Sequence, residues 1–93
     1  MVPQSIVDKL SLTPTRLVIG ESSAHNERIY LLKDFDEEGT MYVMSCDGTG
    51  KPLTDGAVQF LYANGDTKSS INLTYDDLEA MSVDELKERL REM

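Results

Sequence analysis

The sequence predicts an α+β domain. Its expected form is an antiparallel meander of four to five strands, open to closure as a small barrel, packed by a carboxyl-terminal helix and led by a short amino-terminal one. Three observations carry this. Residues 28–35 (RIYLLKDF) and 40–46 (TMYVMSC) are strand-like runs around Asp36-Glu37-Glu38-Gly39, the pattern of a hairpin with an acidic, glycine-ended loop. Asn64-Gly65 lies between AVQFLYA and SINLT, and Asn-Gly favours a type I′ turn because both residues tolerate positive φ. Ser82-Val83-Asp84-Glu85 is a capping-box pattern, and Val83, Leu86, Leu90 and Met93 follow at helical spacing.

Taken in order, residues 4–10 predict a short helix, with Pro3 suited to a first turn and Ile6, Val7 and Leu10 on one face. Thr13-Pro14 should end it, because the residue before proline avoids helical backbone. Two turns are too few to stand alone, so this helix depends on packing. Arg16–Glu21 (RLVIGE) reads as a strand rich in β-branched residues, and Ser22–Glu27 as a polar loop. Asp47–Gly56 holds three glycines and a proline and reads as a loop.

Residues 57–63 admit two readings. Val58, Phe60 and Tyr62 alternate as in a strand, while Val58, Leu61 and Tyr62 also fit a helical face between a Thr54 cap and a Gly65 stop. The hairpin with Ser70–Thr74 is the favoured one. Thr74 can cap a turn over Tyr75–Met81, where Asp76 and Asp77 meet the positive end of the helix dipole. Residues 83–92 form the most secure helix, with Glu85 and Arg89 in the favourable order.

Ninety-three residues fit one domain. Leu, Ile, Val and Phe supply 23 of them, enough for a modest core and too many for a disordered chain. Seventeen acidic residues against nine basic ones give a net charge of −8. Four basic and seven acidic residues lie in 1–46, five and ten in 47–93, so the acidity is spread along the chain. Such a surface repels phosphate backbones, and direct nucleic-acid binding is not expected.

Cys46 is the lone cysteine and His25 the lone histidine. An internal disulfide is therefore impossible and a zinc ligand set is lacking. Small secreted domains usually rely on disulfides, so the expected compartment is the cytoplasm. MVPQSIVDKL has neither a basic leader nor an apolar run, and no stretch approaches the ~20 apolar residues of a membrane span. Neither a membrane nor a cofactor is expected as a partner.

Several motifs resemble chemistry and fall short of it. Asp34, Asp36, Glu38 and Gly39 occupy positions 1, 3, 5 and 6 of a calcium loop, but position 12, which needs a bidentate glutamate, is Ser45. A solvated turn that keeps an edge from pairing is the plainer reading. Asp47-Gly48-Thr49-Gly50-Lys51 lacks the glycine spacing of a P-loop, and Pro52 follows its lysine. His25 near Ser22 and Ser23, with Cys46 further on, shows neither an orienting third group nor an oxyanion site. Enzyme activity is not expected.

The charge pattern is more suggestive. Asp76, Asp77 and Glu79, then Asp84, Glu85, Glu88 and Glu92, fall in a helical hairpin or kinked helix. On a continuous helix Asp77, Asp84 and Glu88 would lie within about 40° of one face. Such a face can attract a basic cleft, although Lys87, Arg89 and Arg91 interrupt it and solubility alone would explain it. Tyr30, Tyr42, Phe60, Tyr62 and Tyr75 could anchor a protein partner, but at strand spacing aromatic residues more often pack against one another. Met41 and Met44 point to opposite faces of their strand.

The function this implies is a non-enzymatic acidic module that binds another protein. In its sharper form it is an inhibitor covering a basic, nucleic-acid-binding surface. Its candidate contacts are the acidic face Asp76, Asp77, Glu79, Asp84 and Glu88 and the acidic hairpin Asp34, Asp36, Glu37 and Glu38. The alternative is an accessory subunit or homo-oligomer assembled by hydrophobic contacts at a sheet edge or the last helix.

Overall fold

Alternation of apolar side chains along the strands gives the sheet one extensive apolar face, and the helices cover it. The computed structural model describes residues 2–15, 29–45, 53–54 and 56–92. Their order is α1 (Gln4–Leu10), β1 (Thr13–Thr15), β2 (Ile29–Leu31), β3 (Thr40–Met44), β4 (Ala57–Asn64), β5 (Thr67–Thr74), α2 (Tyr75–Ala80) and α3 (Val83–Arg91). The strands form one antiparallel sheet in the order β1-β2-β3-β4-β5. It is an open meander with β1 and β5 at its edges, not a closed barrel. The predicted strand over Arg16–Glu21, and His25, Cys46 and the glycine-rich run 47–51, lie outside the described residues.

Helix α1 covers residues 4–10 as its apolar spacing predicts, but proline does not stop it. Ser11 does, in the left-handed conformation at φ 52° and ψ 46°, with its N–H bonded to the Asp8 carbonyl at 3.3 Å. Pro14 instead sits in β1, an edge strand, where a missing donor is tolerated. The acidic hairpin forms with shorter strands than expected: Phe35 belongs to the connecting loop, and pairing runs through Tyr30↔Val43 and Leu31↔Tyr42.

Residues 57–64 are strand, paired on both sides: Phe60 faces Val43 on β3 and Ile71 on β5. The turn is displaced one residue from the Asn-Gly expectation. Asn64↔Thr67 is the last pair, so Gly65-Asp66 is the two-residue loop. Gly65 takes φ 59° while Asp66 keeps a negative φ, the pattern of a type II′ turn.

The sheet face bearing Tyr30, Met41, Val43, Val58, Phe60 and Leu73 packs against Ile6 and Leu10 of α1, Leu78 of α2 and Leu86 and Leu90 of α3. Val43, Val58 and Phe60 are completely buried, and each such side chain stabilises the fold by about 1.5–3 kcal/mol. Ile29 and Met44 form a smaller buried cluster with half-buried Tyr42 and Leu61. Met41 and Met44 belong to these two different clusters, as strand parity requires.

Both predicted caps form. The Thr74 hydroxyl accepts the Asp77 N–H and the Ser82 hydroxyl accepts the Glu85 N–H, each at 3.1 Å. At Met81 the backbone turns extended (φ −88°, ψ 144°), separating α2 from α3. Helix α2 has no basic residue in its own last turn. Lys9 of α1 supplies one, its Nζ donating to the carbonyls of Leu78 (2.7 Å), Glu79 (3.2 Å) and Met81 (2.5 Å). An ammonium there complements the negative end of the helix.

Candidate functional site

The loop between β2 and β3 is held by aromatic and carboxylate contacts that begin from the β3–β4 register. Met41↔Tyr62 pairing brings Tyr62 alongside the loop. Its hydroxyl donates to Asp36 Oδ2 at 2.6 Å, and the Glu38 N–H donates to Asp36 Oδ1 at 2.8 Å. Phe35 meets the Tyr62 ring edge-on, with centroids 5.9 Å apart at 66°. From α3, the Arg91 guanidinium lies 5.4 Å over the Phe35 ring, a cation–π contact. Gly39 is required by this packing: a Cβ there would stand 2.3 Å from the Tyr62 hydroxyl oxygen.

These contacts set the electrostatics of the loop. The Tyr62 hydroxyl, followed by the Glu38 N–H, holds the Asp36 carboxyl below its ordinary value; burial opposes this, and the Arg91 charge adds to it. The same bond to Asp36 raises Tyr62 above its ordinary value, with burial and the Asp36 charge adding and an Asn64 bond opposing. The resulting concavity of about 640 Å³ is lined by Asp34, Phe35, Asp36, Glu37, Glu38 and Arg91. Asp34, Asp36, Glu37 and Glu38 are all exposed on it. It offers carboxylates on a fixed loop, suited to receiving cationic side chains.

The second predicted cluster is divided. Asp76 and Asp77 stand in the first turn of α2 and Glu79 near its end, whereas Asp84 and Glu88 stand on α3. All five are exposed. Because the helix breaks at Met81, the shared-face argument holds for Asp84 and Glu88, four apart on α3, and does not extend to Asp77. The aromatic candidates are largely structural: Tyr30 and Phe60 are core, and Tyr42, Tyr62 and Tyr75 are half-buried.

Among the described residues, no three His, Cys, Asp or Glu side chains are grouped to hold a metal ion. No helix among them is long and apolar enough to cross a membrane. Neither the Tyr62 nor the Arg91 contact to the loop is legible in the sequence: Asp36 and Tyr62 are 26 residues apart and joined by the strand register, and Arg91 reaches Phe35 from the last helix. No protein-family model matches the chain, and no curated protein or solved structure matches it.

Proposed function

We propose that the protein is a non-enzymatic acidic module that occupies a basic surface of a partner protein in the cytoplasm, an inhibitor where that surface would otherwise take nucleic acid. The observation that carries this reading is the acidic loop: Asp34, Asp36, Glu37 and Glu38 are exposed on a segment fixed by Tyr62, Phe35 and Arg91. A loop ordered in advance loses little entropy when a partner docks. The net charge of −8 steers a cationic surface toward it from beyond contact distance. Asp84 and Glu88 on α3 are further exposed carboxylates.

The test is affinity capture from native lysate with the wild type, a Glu37→Lys/Glu38→Lys variant and an Asp84→Lys/Glu88→Lys variant, each at low and high salt. A protein retained by the wild type should be lost at high salt and reduced by the hairpin reversal. Retention indifferent to both salt and charge reversal overturns the proposal.

A further inference from the structure

The eight residues of β5 form an edge of the sheet, and among the described residues nothing pairs along their outer side. Which backbone groups face outward follows from the ladder. The Tyr75 N–H bonds the Gly56 carbonyl at 2.8 Å, continuing the β4–β5 pairing one step past Ala57↔Thr74. Bonded and non-bonded pairs alternate in an antiparallel ladder. Thr67, Ser69, Ile71 and Leu73 therefore direct their N–H and C=O groups toward β4, and Lys68, Ser70 and Asn72 direct theirs outward. Those three residues are exposed, and none has a backbone partner among the described residues. The register with β4 runs one-to-one from Asn64↔Thr67 to Ala57↔Thr74, without a bulge. The strand contains no proline, and Lys68 is its one charged residue. Sheet edges are usually blunted by bulges, prolines or several charges, and this one carries a single lysine.

We propose that the β5 edge is a self-association surface, on which β5 of a second copy pairs antiparallel about a two-fold axis through Ile71. This is independent of the acidic-module reading. Three features of the strand favour its own copy as the occupant. Ile71, half-buried at the rim of the core, would face Ile71 of the second copy in a non-bonded pair, where side chains approach most closely. Ser70 would face Asn72 of the second copy, and Asn72 its Ser70, so the outward donors and acceptors of both are used. Lys68 would face the neutral Thr74 of the second copy instead of another lysine. Asp76 and Asp77 follow that threonine in the chain, which brings opposite charges together at each end of the pairing. The interface is isologous and closes at two copies. The net charge of −8 on each chain opposes approach, so added salt should strengthen the association, the reverse of its effect on capture of a basic partner.

The experiment uses the purified chain alone. Light scattering from micromolar to millimolar protein should show the mass rising from 10.4 kDa toward twice that value, at lower concentration when salt is added. Amide hydrogen exchange reads the pairing directly. The N–H groups of Ser69 and Ile71 should be protected at every concentration. Those of Lys68, Ser70 and Asn72 should exchange freely when dilute and slow by about tenfold or more as the dimer fills. Ser70→Pro removes one outward donor and none of the bonds to β4, and an edge position tolerates the ring. That variant should keep the mass of one chain. A mass that stays at one chain at millimolar protein and high salt overturns the proposal. So does self-association in which the amides of Lys68, Ser70 and Asn72 still exchange freely. Should Ser70→Pro fail to fold, the exchange pattern of the wild type decides alone.

Discussion

Asp36 and Tyr62 give the acidic loop a defined pH window. Folding lowers the Asp36 carboxyl, so its contribution is present above the ordinary carboxylate value of 3.8 and is lost as pH falls through the lowered one. Folding raises Tyr62, so its contribution is present below 10.0 and is lost as pH rises through the raised value. Tyr62→Phe removes the Tyr62 contribution and the largest cause of the Asp36 one, leaving the Glu38 N–H and the Arg91 charge. The melting difference between wild type and Tyr62→Phe should be widest near neutrality and should narrow at both extremes; a difference constant with pH contradicts the assignment. Lys9 is the other residue whose bonds decide local structure. Lys9→Met keeps the aliphatic stem and removes three donations to carbonyls, and chemical denaturation should show a loss of about 1–2 kcal/mol. Neither residue's role could be read from its neighbours in the chain. In the sequence Asp36 is one of several carboxylates in a turn and nothing marks Lys9, because their partners lie 26 and about 70 residues away.

Among the elements, those governed by local chemistry were legible. Thr74 and Ser82 cap α2 and α3 where hydroxyl residues precede acidic first turns, and the acidic hairpin formed where its runs predicted. Ser82→Ala should lower stability by about 0.5–2 kcal/mol in thermal or denaturant melts, with the loss of helical signal confined to α3 in carbon chemical shifts. Elements governed by pairing are less legible, although the favoured hairpin is the one that forms. Residues 57–63 satisfied helical and strand spacing alike, and what decides is non-local: β4 has partners on both sides, which a helix there would leave without ladder bonds. The turn that follows moved by one residue because the strand continues through Asn64, leaving Gly65 to take the positive φ. The common face of Asp77, Asp84 and Glu88 depends on a continuous helix. One extended residue, Met81, interrupts what charge spacing alone treats as a continuous helix.

Across the whole molecule, a small core concentrates its stability in the middle strands. Phe60 is completely buried between Val43 and Ile71, and Phe60→Ala should cost about 3–5 kcal/mol in denaturant unfolding. That is a large share of the 5–15 kcal/mol typical of a domain. The α+β class was legible because hydrophobic spacing and cap residues agree along most of the chain. Whether the sheet closes was not, since closure depends on strand tilt and stagger, which composition does not encode. The bridge from Lys9 to residues 78–81 also constrains how the protein is made. During synthesis the first helix leaves the ribosome long before the carbonyls that hold it exist, and its two turns cannot persist unaided. The Lys9 bridge therefore cannot close until residues 78–81 have been translated, and until then α1 rests on its apolar contacts alone.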